Sequence, residues 1–244
     1  IHNPEFLLLD ARRPMKYMQG HLKNAINLPS YKAFDQEGSL LPTDELAGYI
    51  GSSGLDDRKT PVLYDSPQGQ TASMLAWILK YLGRNDVHLM NTFFEGWVEE
   101  GREIFYRPID SSTAVCTPQP NPSVRITADE TRATNSARPI DFRSAEEFTG
   151  EKDSTGNPGH LPGAINFPWS QLNGTDHCYL ASEDSIEQIL RKSGIERSDP
   201  LIAYCQSGPR ASLGYLALNQ MGYSIRLFDG SYQEWVRRKF PVEG

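Results

Sequence analysis

The chain has 244 residues, of which 38% are hydrophobic and 23% charged, so it is long enough for one large domain or two ordinary ones with real cores. Its formal net charge of −7 argues against nucleic-acid binding, which needs a positive surface. No apolar run approaches the length of a membrane span. We therefore expect a globular protein that binds neither nucleic acid nor membrane.

The cysteines are few and widely spaced. Cys116, Cys178 and Cys205 form no CxxC pair and no cluster with histidine, so the sequence predicts neither a disulfide framework nor a metal site. No cofactor is expected. The low cysteine content favours a reducing, cytoplasmic compartment. Because the chain starts at Ile1 without methionine, an exported protein that has lost a signal peptide stays open.

In the first half of the chain, short apolar runs alternate with helical patterns. The predicted strands are FLLLD, AINLP, PVLYD and VHLM, and helices are predicted near 43–50, 71–82 and 94–100. Near-continuous apolar strands between helices are typical of a mainly parallel sheet covered on both faces. The predicted fold class is therefore α/β.

The second half of the chain repeats the first. GHLKNAINLP (20–29) matches GHLPGAINFP (159–168) at a shift of 139 residues, and at the same shift the segment 61–83 falls on 200–222. The earlier match of LLLDARR with RPIDFRS has a shift of 131, so the second copy carries about eight more residues, in the polar loop GEKDSTGNPG. Two homologous domains are predicted.

The boundary between the copies is rich in proline, serine and threonine. We predict a first domain over 1–106, a linker over 107–122 and a second domain over 123–244. The second copy opens with VRITADET, which predicts a short strand and then a helix start. The first copy has almost no equivalent before Phe6, so we expect it to have lost that opening strand and turn or to substitute another segment for them.

The segment CQSGPR (205–210) stands between a predicted strand and a predicted helix. Backbone N–H groups at a helix N-terminus converge on an anion, and Arg210 adds a permanent positive charge, so a Cys205 thiolate would be stabilised there. Gly208 suits the close backbone approach, and Pro209 stiffens the loop before the helix. A buried core cysteine is the alternative, but the polar Ser207 beside Gly208 and Arg210 favours a nucleophile.

Both copies contain D-x-R and G-H-L-x-x-A-I-N-[LF]-P, and the second adds an apolar strand followed by C-x-x-G-x-R-A-S. This ordered set resembles a two-domain rhodanese, a thiosulfate sulfurtransferase. The resemblance implies two rhodanese domains, each a five-stranded parallel sheet flanked by helices, with one active site in the C-terminal domain. It places the catalytic cysteine at Cys205 and gives substrate-binding roles to Gln206, Ser207, Gly208, Pro209, Arg210 and Arg143.

The implied reaction is transfer of a sulfane sulfur. Cys205 would take the sulfur from a donor such as thiosulfate, become a persulfide, and pass the sulfur to a thiophilic acceptor. The expected partners are therefore a small-molecule donor and an acceptor such as cyanide, a thiol or a thioredoxin-like protein.

The internal repeat predicts that the two loops differ in chemistry. In the alignment at a shift of 139, Ser66 replaces Cys205 and Thr71 replaces Arg210, while Gly69 matches Gly208. A serine hydroxyl cannot form a persulfide. We therefore predict that the first domain is inactive in sulfur transfer.

Three alternatives stay open. Rhodanese-like phosphatases use a C-x5-R loop, one residue longer than the Cys205–Arg210 loop, and 3-mercaptopyruvate sulfurtransferases usually carry C-G-S-G-V-T. Arg210 at the end of the loop favours an inorganic anion such as thiosulfate. A non-enzymatic rhodanese module that binds a partner is the third alternative, although it would need neither Cys205 nor Arg210.

One departure from the family concerns the residues after D-x-R. Larger two-domain sulfurtransferases often carry a second substrate-binding arginine there, whereas this chain has Glu146 and Glu147. An acid at that place would repel an anionic donor, so a different donor or weaker binding is expected.

Other recurring residues are expected to be structural. Asp141 and Arg143, like Asp10 and Arg12, predict an ion pair at a strand end, with Arg143 still near the substrate. The residues expected to hydrogen-bond or pack in both copies are His21, His160, Trp97 and Trp235. Trp169 is a candidate for lining the pocket.

Overall fold

The computed structural model describes residues 5–244, which divide into two compact units. The first contains the chain up to Asn121 together with Asp176–Tyr179, and the second contains Pro122–Thr175 and Leu180–Gly244. Residues 107–121, predicted as a linker, thus belong to the first unit. Their backbone is bound to it, since Ala114 N donates to Gly51 O (2.9 Å) and Gln119 N donates to Leu82 O (2.9 Å).

The first unit is a parallel sheet flanked by helices. Its strands are β1 (Phe6–Asp10), β2 (Ile26–Asn27), β3 (Thr60–Tyr64) and β4 (His88–Leu89), in the order β2-β1-β3-β4. Its helices are α1 (Pro14–Met18), α2 (Thr43–Gly51), α3 (Gln70–Tyr81) and α4 (Phe94–Glu99), with a 3-10 turn at Ser30–Ala33. The four strands and three helices that the sequence predicts for the first copy are present, whereas α1 and the 3-10 turn were not predicted.

The second unit has the same plan. Its strands are β5 (Arg138–Asp141), β6 (Ile165–Asn166), β7 (Leu201–Tyr204) and β8 (Ile225–Leu227), in the order β6-β5-β7-β8 and all parallel. Its helices are α5 (Ala128–Ala133), α6 (Ala145–Thr149), α7 (Glu183–Lys192), α8 (Pro209–Gln220) and α9 (Ser231–Arg237), with 3-10 turns at Pro122–Val124 and Trp169–Leu172. The predicted α/β class and the tandem repeat are confirmed.

The expected number of five strands in each sheet is wrong, because each sheet has four strands in the described part of the chain. In the second copy the expected opening strand is reduced to one parallel bridge between Arg125 and Leu227. Thr127 and Glu130 form a capping box that starts α5 at once, which leaves no length for a strand. For the first copy, the expectation of a lost opening strand falls on residues 1–4, which lie outside the described residues.

The core of the second unit lies on both sides of β7. All four residues of β7 are buried, so both faces of the strand are covered. On the face of Ile202 and Tyr204, these two residues form a cluster with Ile126, Ala128, Leu161, Phe228, Tyr232 and Trp235. Helix α8 approaches the sheet closely at Gly214, where a Cβ atom would collide with the ring of Phe142. This packing fixes the start of α8 just beyond the carboxyl end of β7, which is the edge where parallel α/β sheets place their sites.

Among the described helices, none combines the length and the apolar character that a membrane span requires.

Candidate active site

Cys205 directly follows β7 and is 1% exposed. The backbone around it is fixed by the start of α9: Cys205 N donates to Ser231 Oγ (3.2 Å), and Tyr232 N donates to Cys205 O (3.0 Å). Gly208 N donates to Cys205 Sγ (3.2 Å). The sulfur therefore lies in a rigid loop with a backbone donor already directed at it.

Gly208 makes that contact because of its conformation. Its φ of +105° lies in a region that residues with a Cβ avoid, and it occupies the N-cap position of α8. Pro209 follows as the first helical residue, where its missing N–H is not needed. The loop thus turns sharply and presents the N-terminus of a helix of 12 residues to the sulfur.

Arg210, the second residue of α8, is bound by an acid. Its Nη1 donates to Glu147 Oε2 (2.6 Å) and its Nη2 donates to Glu147 Oε1 (2.9 Å). Of the pair Glu146 and Glu147, it is Glu147 that lies against the loop, and an effect of this acid on an anionic donor stays a prediction. Glu147 is therefore ion-paired with Arg210, the cation of the Cys205 loop.

Glu147 keeps its charge although it is largely buried. Burial works to raise its pKa, but the hydrogen bonds from Arg210 and from Ser144 N (3.0 Å) outweigh burial and lower the pKa from 4.5 to about 2. The Glu147–Arg210 pair is therefore ionised across the range in which proteins work.

This shift predicts a pH dependence of stability. A carboxyl whose folded pKa is lowered stabilises the fold above its unfolded pKa and loses that contribution as the pH falls from 4.5 through about 2. Glu147→Gln should therefore lower the free energy of unfolding by about 2–3 kcal/mol at neutral pH, with the difference shrinking as the pH is lowered towards 3. Urea titrations of both proteins at a series of pH values measure it. A difference that does not change with pH would contradict the assignment.

Arg143 lies in a buried ion pair with Asp141. Its Nη2 donates to Asp141 Oδ2 (2.6 Å) and to Gly159 O (2.7 Å), and the two side chains are 3% and 0% exposed. Its guanidinium also lies 3.9 Å from the centre of the Tyr232 ring. The predicted structural pair is confirmed here and for Asp10 and Arg12 (2.6 Å). A role of Arg143 in substrate binding stays a prediction.

The remaining loop residues are more accessible. Ser207 is exposed, Pro209 is half-buried, and the half-buried Gln206 donates from Nε2 to Ser154 Oγ (3.4 Å). Their substrate-binding roles stay predictions. In the described part of the chain, no group of three or more histidine, cysteine and acidic side chains is arranged to hold a metal ion.

The predicted equivalence of Ser66 and Cys205 is wrong, as the corresponding loop of the first unit shows. The sheet register pairs Asp10 with Tyr64 and Asp141 with Tyr204, so Asp65 and Cys205 are the equivalent residues. Their carbonyl groups accept equivalent bonds, from Phe94 N (2.9 Å) and from Tyr232 N (3.0 Å).

The physical reason is one additional residue in the first loop. Asp65 and Gly69 enclose three residues, whereas Cys205 and Gly208 enclose two, and the following helices stay in register. Thr71 is therefore still the equivalent of Arg210. An alignment without gaps is set by the two matching helices, and it therefore shifts the residues before the loop glycine by one position.

Asp65 stands where the second loop has Cys205, and its carboxylate accepts backbone N–H groups at the start of the following helix. It accepts from Ser66 N (2.7 Å), Thr71 N (2.7 Å) and Ala72 N (3.0 Å), and it is 4% exposed. Burial raises its pKa, although these N–H bonds act in the opposite direction. The N-terminus of α3 is thus occupied by an acidic side chain of the same unit.

Tyr179 covers the same loop within the first unit. Its hydroxyl accepts from Asp65 N (2.6 Å) and donates to Asp65 O (2.9 Å), and a Cβ at Gly69 would approach its ring to 2.8 Å. Inactivity of this copy stays a prediction, and these contacts support it.

Sequence reasoning missed the roles of Asp65, Tyr179 and Ser231. Aligning the tyrosines of YDSPQG and YCQSG would have found Asp65. No sequence signal points to Tyr179, because it lies outside the first copy and joins that unit only in three dimensions.

The recurring histidines and tryptophans are structural. His21 bonds through Nδ1 to Tyr17 O (3.0 Å), and His160 bonds through Nδ1 to Phe148 O (2.9 Å), as predicted. Trp235 lies in the core, and Trp97 packs against the core of the first unit. Trp169 is half-buried, and its role in a pocket stays a prediction.

Comparison with known proteins decides the family. The model of the rhodanese-like domain matches residues 1–100 and 127–238, one match in each copy. The chain belongs to the rhodanese family. Thus the repeat in the sequence is a tandem of two rhodanese-like domains.

Individual relatives cover most of the chain. A Haloferax volcanii protein, named provisionally as a thiosulfate sulfurtransferase, is 30% identical over 236 residues, which is 90% of this chain and 81% of the relative. The thiosulfate sulfurtransferase of Azotobacter vinelandii is 27% identical over 98% of this chain and 92% of its own length.

A similar solved structure is that of the anaerobic ergothioneine biosynthesis enzyme from Chlorobium limicola, crystallised with trimethyl histidine. The TM-score is 0.89 at 23% identity, and the match covers 100% of this chain and 65% of that one, so this rhodanese spans less than two thirds of that enzyme. The likeness shows the fold.

Proposed function

We propose that this rhodanese is a sulfurtransferase that carries a sulfane sulfur from thiosulfate to a thiophilic acceptor on Cys205. The observation that carries the proposal is the Cys205 sulfur itself, which lies at a strand end, accepts the Gly208 N–H at 3.2 Å and faces the N-terminus of α8. A negatively charged sulfur is favoured at such a place, both before and after it accepts a second sulfur.

The first half-reaction breaks one S–S bond and forms another. The Cys205 thiolate attacks the outer sulfur of thiosulfate, and the bonding pair of the donor leaves with sulfite. The product is a Cys205 persulfide anion, and the total charge of the reactants is conserved. The Gly208 N–H, which reaches Cys205 Sγ at 3.2 Å, supports this step as a donor to the anion that forms there.

The second half-reaction returns the enzyme to its starting state. Cyanide or a thiolate attacks the outer sulfur of the persulfide and takes it away, and the electrons of the broken S–S bond return to the Cys205 thiolate. A small acceptor or the thiol of a thioredoxin-like protein satisfies this chemistry.

The length of the loop favours sulfur over phosphate. Cys205 and Arg210 enclose four residues, whereas the phosphatase loop needs five to surround a tetrahedral phosphate. Thiosulfate is preferred to 3-mercaptopyruvate as the donor because the loop CQSGPR differs from C-G-S-G-V-T at its second, fifth and sixth residues. Relatives that cover most of the chain also carry the name thiosulfate sulfurtransferase.

A steady-state assay tests the proposal. Thiocyanate formation from thiosulfate and cyanide should follow ping-pong kinetics, and hydrolysis of an aryl phosphate should be absent. Faster turnover with 3-mercaptopyruvate than with thiosulfate would identify 3-mercaptopyruvate as the donor. Aryl phosphate hydrolysis at a rate similar to that of thiocyanate formation would contradict the sulfur chemistry.

The register of the two loops predicts the behaviour of a thiol introduced into the first unit. In a Cys205→Ser background, Ser66→Cys should take up no sulfur from thiosulfate, because Asp65 occupies the nucleophile position and its carboxylate holds the N–H groups of Thr71 and Ala72. Mass spectrometry of the intact protein measures the uptake. A sulfur found on residue 66 would show that the first loop can still be activated.

A further inference from the structure

The cation of the catalytic loop is not available as a free charge. Arg210 is held by Glu147 in a two-bond fork of 2.6 Å and 2.9 Å, and the two side chains are only 19% and 15% exposed. Bidentate guanidinium–carboxylate pairs are among the strongest polar contacts in proteins. A sulfur donor therefore meets a neutral pair where the sequence alone suggests a cation.

Glu147 is positioned by its own helix. It is the third residue of α6, where its carboxylate accepts from Ser144 N (3.0 Å) and completes a capping box with Ser144. The carboxylate is thus fixed by the start of α6 as well as by Arg210. The contact between Glu147 and the loop is therefore a fixed feature of the second unit.

The other charges around Arg210 do not restore a positive site. The groups with the largest electrostatic effect on Arg210 are Cys205, Glu147 and Asp141, all of them acids. The nearby cation Arg143 is itself paired with Asp141 at 2.6 Å. Two guanidinium groups thus face two carboxylates, and a Cys205 thiolate makes the neighbourhood of the sulfur negative.

We propose that Glu147 determines the charge of the sulfur donor: by neutralising Arg210 it disfavours the dianion thiosulfate relative to sulfane-sulfur donors that carry a single negative charge. This inference rests on the proposed sulfur transfer through Cys205. A monoanionic donor such as a thiosulfonate reacts by the same step, in which the thiolate takes the outer sulfur and a sulfinate leaves with the bonding pair. Electrostatic repulsion grows with the charge of the donor, so the dianion is slowed more.

The test is the ratio of kcat/KM for thiosulfate to kcat/KM for benzenethiosulfonate. Glu147→Gln removes the charge, and glutamine still serves in a capping box. We expect kcat/KM to rise about tenfold for the dianion and about threefold for the monoanion, because the interaction free energy is proportional to donor charge. The ratio should thus shift about threefold towards thiosulfate, a change that a purely structural role would not produce.

Glu146→Gln is the matched control. It removes the same charge one residue away, from an exposed side chain, and should leave the ratio unchanged. An equal shift in both variants would assign the effect to overall charge and overturn the inference.

Wild-type protein gives a second measurement, which does not depend on the folding of a variant. If the site is negative, added salt screens the repulsion, and kcat/KM for thiosulfate should rise with ionic strength more steeply than for benzenethiosulfonate. A fall with salt would show a free cation and overturn the inference while leaving sulfur transfer intact. If the wild type transfers sulfur from neither donor, the proposed function itself fails.

Discussion

Cys205→Ser should abolish thiocyanate formation, lowering kcat/KM by at least about a thousandfold, as expected for removal of a nucleophile. A hydroxyl has no means of holding a second sulfur. The loop should survive the change, because Cys205 is held through its backbone by Ser231 Oγ (3.2 Å) and Tyr232 N (3.0 Å). Steady-state rates and a thermal unfolding curve on the same preparation separate lost chemistry from lost structure.

The other two cysteines provide the controls. Cys116 is buried in the first unit and Cys178 is half-buried, and both belong to the part of the chain that contains no proposed chemistry. Cys178→Ser should retain full activity. Substantial activity in Cys205→Ser, or loss of activity in Cys178→Ser, would contradict the assignment of Cys205 as the nucleophile.

Arg143→Met should destabilise the second unit by about 3–5 kcal/mol, since it leaves the Asp141 carboxylate buried without its partner. The carboxylate is 0% exposed, and Arg143 supplies it with two guanidinium nitrogens as well as bonding Gly159 O. Urea unfolding measures the loss. The variant also separates the two roles considered for Arg143, structure and substrate binding.

Arg12→Met is the matched variant in the other copy. Arg12 bonds Asp10 (2.6 Å) and Gly20 O (2.7 Å) in the same arrangement, far in sequence from Cys205. If Arg143 is structural, the two variants lose similar stability, and each keeps normal kcat/KM under conditions where it is folded. A selective fall of kcat/KM for thiosulfate in folded Arg143→Met would establish substrate binding.

Much of this fold could be predicted because the chain contains two copies of one pattern. The apolar runs and the D-x-R motifs placed β1, β3, β5 and β7 correctly, and the buried pairs at Asp10 and Asp141 follow from acids at strand ends. The strand count failed at Arg125, where the choice between strand and helix start is decided by the capping box of Thr127 and Glu130. The sequence around Arg125 is compatible with a strand or with the start of a helix, and the capping hydrogen bonds select the helix.

The site was predictable at Cys205 but not in its electrostatics. Strand, cysteine, glycine and helix are consecutive in the sequence, so their geometry follows from local rules. The Arg210–Glu147 pair joins residues 63 positions apart, and only the packed second unit brings them within 2.6 Å. The one-residue shift from Ser66 to Asp65 was missed because the match between the two helices extends without a gap into the loop, although the tyrosines that precede Asp65 and Cys205 mark the shift.

The most direct test of sulfur transfer is the intact mass of the protein after incubation with thiosulfate and removal of excess donor. We expect a gain of one sulfur atom, located on Cys205 by peptide mapping and lost again on addition of cyanide. An unchanged mass, or a sulfur bound at Cys116 or Cys178 instead, would contradict it.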